Sequence, residues 1–159
     1  MTLRTRIAML ATAALLVAAP GVRAHGNEKH DAHPAGDASG LPRTPRPADA
    51  VLYLISPANG ATVESPVTVR FGLKGMGIAP AGVNAPNTGH HHLVVDAPTP
   101  ALDLPLPADA QHIHFGGGQT ETTLELPAGT HTLQLVLADK VHIPHDPPLV
   151  SETITITVK

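Results

Sequence analysis

Histidine is the residue type in this sequence that is most able to bind metals or take part in reactions. Six of the eleven histidines form three closely spaced pairs. The pairs lie in the strings GHHHLVVD, HIHFGGG and KVHIPHDPP. Neutral imidazole binds both zinc and copper(II), and sites made of three or four histidines occur for each metal. The candidate metal ligands are therefore His90, His92, His112, His114, His142 and His145.

The spacing inside each pair allows both rings to approach one ion. Residues i and i+2 of a β-strand project to the same face about 6.6 to 6.8 Å apart, and the first two pairs have this spacing. His142 and His145 are three residues apart in a proline-containing segment that we interpret as a loop, where both rings can also face one point. We expect three or four of the six rings to bind one divalent ion. Met76 is the only thioether after residue 24, so a copper(I) site has little support. Copper(II) is slightly favoured over zinc because of the expected compartment and the type of ligand.

A structural role for the same rings is the main alternative. Imidazoles can bond to Asp96, Asp139, Asp146 or loop carbonyls and so fasten long loops. The domain would then be an envelope interaction or adhesion module that needs no metal. His131 by itself favours a structural role, because it lies near the position where immunoglobulin-like folds place a corner tyrosine that bonds back to the backbone.

An oxidative enzyme is a third hypothesis, and it depends on the N-terminus. Cleavage after Ala24 would leave His25 with a free amine beside its imidazole, a chelating pair that resembles the histidine brace of copper oxygenases. Against this hypothesis, Tyr53, Phe71 and Phe115 are the only aromatic residues able to stack on a polysaccharide. No Ser-His-Asp order or pair of carboxylates can be singled out, so we predict a binding protein without catalytic residues.

The first 24 residues are predicted to be a secretory signal peptide. Two arginines precede the apolar run IAMLATAALLVAAP, which is shorter than a membrane span of about 20 residues, and Val22-Arg23-Ala24 supplies the small residues that signal peptidase reads. The chain has no cysteine, which excludes disulfides, thiolate metal sites and a lipid-modified cysteine anchor. We expect a periplasmic or secreted protein that is not inserted in a membrane after cleavage.

The charge balance narrows the class of partner. Without residues 1–24 the chain has seven Lys and Arg against thirteen Asp and Glu, a net charge of about −6. This acidic balance makes nucleic acid and anionic membranes poor partners. The expected partners are a metal ion and, in addition, another envelope protein.

Residues 25–48 are predicted to be a disordered tail. They are rich in Gly, Pro, Ala and charge, and they cannot bury enough apolar surface to offset the entropy of ordering. The tail carries His25, His30 and His33, which either belong to a solvated leader or collect metal.

Residues 49–159 are predicted to form one domain. Apolar residues alternate in short blocks between Pro and Gly turns, as in PVTVRFGLKG, and no helical periodicity is visible. This pattern indicates an all-β fold, an antiparallel β-sandwich of immunoglobulin-like architecture with about seven strands. The predicted strands cover 51–56, 66–75, 92–96, 112–115, 122–126, 130–139 and 151–158.

The connections between the strands also point to the histidines. The proline-rich segments 79–89 and 96–111 are long for hairpin loops, and each leads directly into a histidine pair. The triple glycine at 116–118 lacks the lysine and the following helix of a phosphate loop. It predicts a sharp turn or a close backbone approach after HIH.

Three strings of this sequence resemble a known family. They are GLKGMGIAPAGVNAPNTGHHHLVVD, HIHFGGGQTETTLELPAGTHTLQLVLAD and HIPHDPPLVSETITITV, and together they are similar to the bacterial domain-of-unknown-function family numbered 4399, secreted or periplasmic proteins rich in histidine. The resemblance covers roughly residues 51–158 and implies no activity or ligand. The residues it assigns to the family signature are His90, His91, His92, His112, His114, Gly116, Gly117, Gly118, His142, His145 and Asp146.

Overall fold

A computed structural model describes residues 40–159. The predicted signal peptide and the tail histidines His25, His30 and His33 lie outside the described residues. The regular structure of the described chain consists of ten strands: β1 (Val51–Ser56), β2 (Thr62–Val63), β3 (Val67–Lys74), β4 (Gly77–Ile78), β5 (Thr88–Val95), β6 (His112–His114), β7 (Glu121–Leu124), β8 (Gly129–Ala138), β9 (Pro144–Val150) and β10 (Ile154–Val158).

The strands form two sheets, which confirms the predicted all-β sandwich. The smaller sheet has the antiparallel order β1-β3-β7. The larger sheet has the order β2-β10-β8-β5-β4, with β6 pairing to β5 and β9 pairing to β8. The immunoglobulin-like order of the strands stays a prediction. No helix in residues 40–159 is long and apolar enough to cross a membrane.

One hydrophobic core lies between the sheets. In β3, Val67, Val69 and Phe71 are buried and alternate with exposed Thr68 and Arg70, which is the period of two expected of a half-buried strand. The larger sheet contributes buried apolar residues from β5, β8 and β10 to the same core. Full burial of each such side chain contributes about 1.5 to 3 kcal/mol, so the packing of the two inner faces is the main source of stability.

Strand β5 is buried on both faces, unlike β3. Its inner residues Leu93 and Val95 join the main core, while Val94 joins a second apolar cluster with Leu106, Val136 and Ala138. Leu106 belongs to the long segment between β5 and β6, so that segment covers part of the outer face of the larger sheet. This cover explains why HHHLVV shows no alternation of polar and apolar residues: each face of the strand has its own packing partners.

Strand β9 falls in a segment that the sequence analysis interpreted as a loop. It contains Pro144, Pro147 and Pro148, and proline cannot donate a hydrogen bond to a sheet. Among the strands, β9 pairs with the end of β8, through Val136, Leu137 and Ala138, with an irregularity in the register, and Asp146 of β9 forms an isolated bridge with Pro45. An edge position of this kind is where a strand tolerates proline.

The folded chain begins before Asp49, although residues 25–48 are predicted to be a disordered tail. Arg43 donates to the carbonyls of Pro144 (3.2 Å) and His145, and the carbonyl of Thr44 accepts from the backbone N–H of Asp146 (2.9 Å). Arg46 donates to the carbonyl of Pro147 at 2.8 Å. The arginines satisfy carbonyl groups of β9, so residues 43–46 belong to the domain despite their polar composition.

Candidate metal centre

Three of the predicted ligands lie on the outer face of the larger sheet. His92 of β5 is the register partner of His114 of β6 in an antiparallel pair. His90 lies two residues before His92 and therefore projects to the same face. The intervening His91 projects inward and packs on Phe71, with the ring centroids 5.0 Å apart.

The fourth histidine comes from the connection between β8 and β9. His142 has a φ of 69°, in the left-handed region that a non-glycine residue seldom adopts. Asp139 holds this connection, because one of its carboxylate oxygens accepts from the backbone N–H of Val141 (2.9 Å) and of Ile143 (3.1 Å). The other oxygen accepts from the hydroxyl of Thr44 at 2.7 Å. Asp139 thus fixes the backbone of the loop that carries the His142 ring.

The four rings form a compact group, which we call the histidine cluster: His90, His92, His114 and His142. The distances between ring centroids run from 4.7 Å for His114 and His142 to 5.9 Å for His92 and His142. The other four distances are 4.9 to 5.0 Å. Every ring of the cluster is therefore in contact range of the other three.

Nitrogen atoms within the cluster are close enough to bind one ion. His90, His114 and His142 each offer a ligand nitrogen, and these three atoms lie within 4.8 Å of one another. His92 approaches His90 with 3.1 Å between their Nε2 atoms. A zinc or copper ion takes imidazole nitrogens at about 2.0 to 2.1 Å, so the three nitrogens can close on an ion with small movements. The cluster can hold a metal ion.

Burial keeps the deep rings of the cluster neutral. Desolvation, followed by the positive potential of His142 and His114, lowers the pKa of His90 to about 4. Desolvation and the neighbouring His90 lower the pKa of His92 to about 3. Neutral imidazole is the form that binds a metal ion, and both rings have this form at neutral pH.

The two deep rings also leave ring nitrogens without a hydrogen bond. Nδ1 of His90 and Nδ1 of His92 are buried and have no partner within residues 40–159. A neutral imidazole carries one N–H and one lone pair, so a hydrogen bond between the two Nε2 atoms leaves one of each unsatisfied on the Nδ1 atoms. Buried unsatisfied groups are rare in folded proteins and often mark a functional site.

The triple glycine supports the position of His114. A Cβ built on Gly116 would lie 2.4 Å from Cε1 and 2.6 Å from Nε2 of His114, so the ring lies directly against the Gly116 backbone. Gly118 has a φ of 83° and makes the turn that follows. The predicted sharp turn is therefore present, and the close contact at Gly116 is with a ring of the cluster.

The other two predicted ligands lie apart from the cluster. His112 bonds through Nδ1 to a carboxylate oxygen of Asp109 at 2.9 Å. His145 is fully buried and donates from Nε2 to the carbonyl of Thr88 at 3.2 Å. His112 and His114 lie on the same strand, but the pairing of β6 with β5 places only His114 opposite His92.

Two further histidines have structural contacts. Nδ1 of His131 bonds to Asp96 at 2.7 Å and Nε2 bonds to the carbonyl of Pro127 at 2.9 Å, so both ring nitrogens are satisfied. The bond to Pro127 is the backward bond to the backbone expected for this position. His91 donates from Nδ1 to the carbonyl of Gln119 at 3.1 Å and so ties β5 to the segment before β7.

The sequence analysis identified all four members of the cluster and overlooked two supporting residues. Asp139 was expected to bond to a histidine ring, whereas it bonds to backbone N–H groups and to Thr44. Gly116 was seen as part of a turn, without the ring that packs on it. A glycine two residues after a histidine of a strand is the one signal in the sequence that points to this contact.

A family model described as "Domain of unknown function (DUF4399)" matches residues 69–159, a segment that contains the whole histidine cluster. No curated protein and no solved structure matches the chain.

Proposed function

Since the chain belongs to the DUF4399 family of domains of unknown function, we propose from the geometry of its histidines that it binds a divalent transition metal, copper or zinc, to buffer the ion or to pass it on. The observation that carries this proposal is the convergence of His90, His114 and His142, whose ligand nitrogens lie within 4.8 Å of one another. Three converging imidazoles are a donor set that both metals accept.

The exposure of the ligands is in keeping with exchange of the ion. His90 is fully buried, whereas His114 and His142 reach solvent. An ion can enter and leave on the side of these two rings while His90 stays in place. A binding protein that loads and unloads needs such an open side, and a purely structural metal site does not.

We also propose that the protein acts outside the cytoplasm. The arginines and the apolar run at the N-terminus support export, and the lack of cysteine suits an oxidising compartment. A periplasmic or secreted protein of this kind would meet metal ions before the cell takes them up. Another envelope protein is the partner to which a delivered ion would pass.

The test compares two histidines of strand β6. His114→Ala removes a ring of the cluster, and His112→Ala removes a ring of the same strand that bonds to Asp109 instead. Both changes are made in the full chain without a histidine tag and with His25→Ala, His30→Ala and His33→Ala, so that the tail adds no ligands. Calorimetric titration with zinc and with copper(II) measures the affinity.

We expect one ion per chain, an affinity at least about 100-fold lower after His114→Ala, and no change after His112→Ala. Absence of binding to the unaltered domain would contradict the proposal. Equal losses in the two variants would also contradict it, since the cluster would then have no special role.

The alternative function is an envelope interaction module with structural histidines. The observation that favours it is His131, whose two ring nitrogens are both bonded within the fold. Under this alternative, His114→Ala changes the melting temperature and no metal dependence is seen. The copper oxidase hypothesis requires His25 as a ligand, and it predicts redox turnover that stops when the N-terminal amine is blocked.

A further inference from the structure

The six centroid distances of the histidine cluster define its shape. Four points in a square have two diagonals about 1.4 times as long as the sides, whereas a tetrahedron has six equal edges. Five of the six distances here lie between 4.7 and 5.0 Å, and the sixth, between His92 and His142, is 5.9 Å. The four rings therefore occupy the corners of a tetrahedron that is slightly stretched along one edge.

The size of this tetrahedron matches a bound metal ion. Its centre lies about 3.1 Å from each ring centroid, and a metal bound to imidazole nitrogen at about 2.0 to 2.1 Å lies about 3.2 Å from the centroid of that ring. The rings are thus already spaced as four imidazoles around one ion.

One nitrogen of His92 lies at the distance from His90 that two ligands of one ion have. In a tetrahedral site with metal bonds of about 2.05 Å, neighbouring ligand nitrogens lie about 3.3 Å apart. The Nε2 atoms of His90 and His92 are 3.1 Å apart. An ion bound by both atoms would replace the proton between them, and each ring would tilt so that its lone pair points at the ion.

From this geometry we propose that His92 is the fourth ligand and that the cluster is a closed tetrahedral site for zinc(II). The inference rests on the proposed function and specifies its ion and coordination. Zinc(II) takes four ligands in a tetrahedron without a preference of its d electrons, whereas copper(II) favours a tetragonal arrangement. With imidazole at all four corners, the ion has no position for a water molecule, so the site holds and releases zinc and does not catalyse hydrolysis.

The experiment determines the number and arrangement of the ligands in the full chain with the three tail histidines replaced by alanine, as above. X-ray absorption at the zinc edge counts the imidazoles in the unaltered cluster. Cobalt(II) in place of zinc reports the geometry, because tetrahedral cobalt absorbs visible light far more strongly than octahedral cobalt. His92→Ala is compared with His145→Gln, which changes a buried histidine outside the cluster.

We expect four imidazoles at about 2.0 Å, intense cobalt absorption, and a loss of zinc affinity of at least about tenfold in His92→Ala but not in His145→Gln. Three imidazoles with a water ligand, or weak cobalt absorption, would overturn the tetrahedral site while the proposed function stands. No binding of zinc or cobalt would overturn both. X-ray absorption on the unaltered cluster decides the matter even if His92→Ala does not fold.

Discussion

The histidines of this domain differ in how their ring nitrogens are satisfied. Both nitrogens of His131 bond to acceptors within the fold, so its ring has a structural role and connects Asp96 to the carbonyl of Pro127. His90 and His92 have buried Nδ1 atoms without partners among the described residues. Since an unsatisfied buried polar group costs about 1 to 3 kcal/mol, such rings are retained for something other than stability. An unpartnered nitrogen does not identify a ligand by itself, because Nε2 of His91 and Nδ1 of His145 are also buried without a partner among the described residues. His90 and His92 differ from these two in lying against the other rings of the cluster.

His131 should give the protein a pH-dependent stability. Bonds to Asp96 and to the Pro127 carbonyl raise its pKa above 6.5. A pKa that is raised in the folded state stabilises the protein below 6.5, and this stabilisation is lost as the pH rises through the folded value. We expect the free energy of unfolding in urea of the unaltered chain to exceed that of Asp96→Asn most below pH 6.5, and this difference to decrease as the pH rises through the folded pKa of His131.

Asp96→Asn isolates the charge interaction. Asp96 has a φ of 53°, which asparagine tolerates, and an amide oxygen can still accept the 2.8 Å bond from the backbone N–H of Thr132. Burial lowers the pKa of His90 and His92 in the folded state, so these rings add a slope of opposite sign around pH 6.5, which is the same in both proteins and cancels in the difference. A difference that does not change with pH would show that His131 is not its source.

The residues of the cluster were predictable from the sequence, and their grouping was not. A spacing of two in a strand correctly predicts that His90 and His92 share a face. It treats His112 and His114 as equivalent, although only His114 is the register partner of His92. The pairing register depends on contacts between distant segments, so local spacing does not contain it.

At the scale of elements, the turn after β6 determines where His114 points. The ring lies against Gly116, and a Cβ there would come within 2.4 Å of it. The backbone of Gly116 does not need a left-handed φ, so alanine is compatible with the turn itself. Only the ring would have to move, because it is the flexible end of a side chain.

Gly116→Ala should therefore weaken metal binding without unfolding the domain. We expect the zinc affinity to fall by at least about tenfold and the melting temperature to change little, because displacement of a ligand costs binding more than folding. Gly117→Ala is the matched control, since its Cβ would meet only the side chain of Gln119, at 3.1 to 3.3 Å. If both variants bind zinc as the unaltered chain does, Gly116 has no part in holding His114.

Strands β3 and β10 were predictable because their side chains alternate. β9 was not, since three prolines are typical of a loop and only pairing to β8 makes them compatible with a strand. The two-residue strands β2 and β4 contain too few residues to show any period. Sequence periodicity thus predicts the alternating strands and misses β2, β4 and the proline-containing β9.

At the scale of the whole molecule, residues 43–46 connect the start of the domain to the loop that carries His142. Arg43 and Arg46 bond to carbonyls of β9, and Thr44 bonds to Asp139, which holds the loop of His142. The sequence analysis ended its tail at residue 48 because these residues are polar and rich in proline. Composition indicates what can be buried, but it does not reveal that free carbonyls elsewhere need donors.

A chain that begins at Asp49 should be less stable than one that begins at Gly40. It lacks the side-chain bonds of Arg43, Thr44 and Arg46, and we expect the free energy of unfolding in urea to be lower by about 2 kcal/mol or more. Arg46→Ala alone, which removes the bond to the Pro147 carbonyl, should account for only part of the loss. Equal stability of the two chains would show that the segment is dispensable.

Two parts of the metal site should have very different amide hydrogen exchange. His90 and His92 belong to a strand that is buried on both faces, where amides exchange only when the whole domain unfolds. His142 lies on a loop outside the strands, where local opening on a faster timescale is the rule. The rate at which an ion leaves would then follow the rate of local opening of one loop, while the strand keeps His90 and His92 in position to bind the next ion.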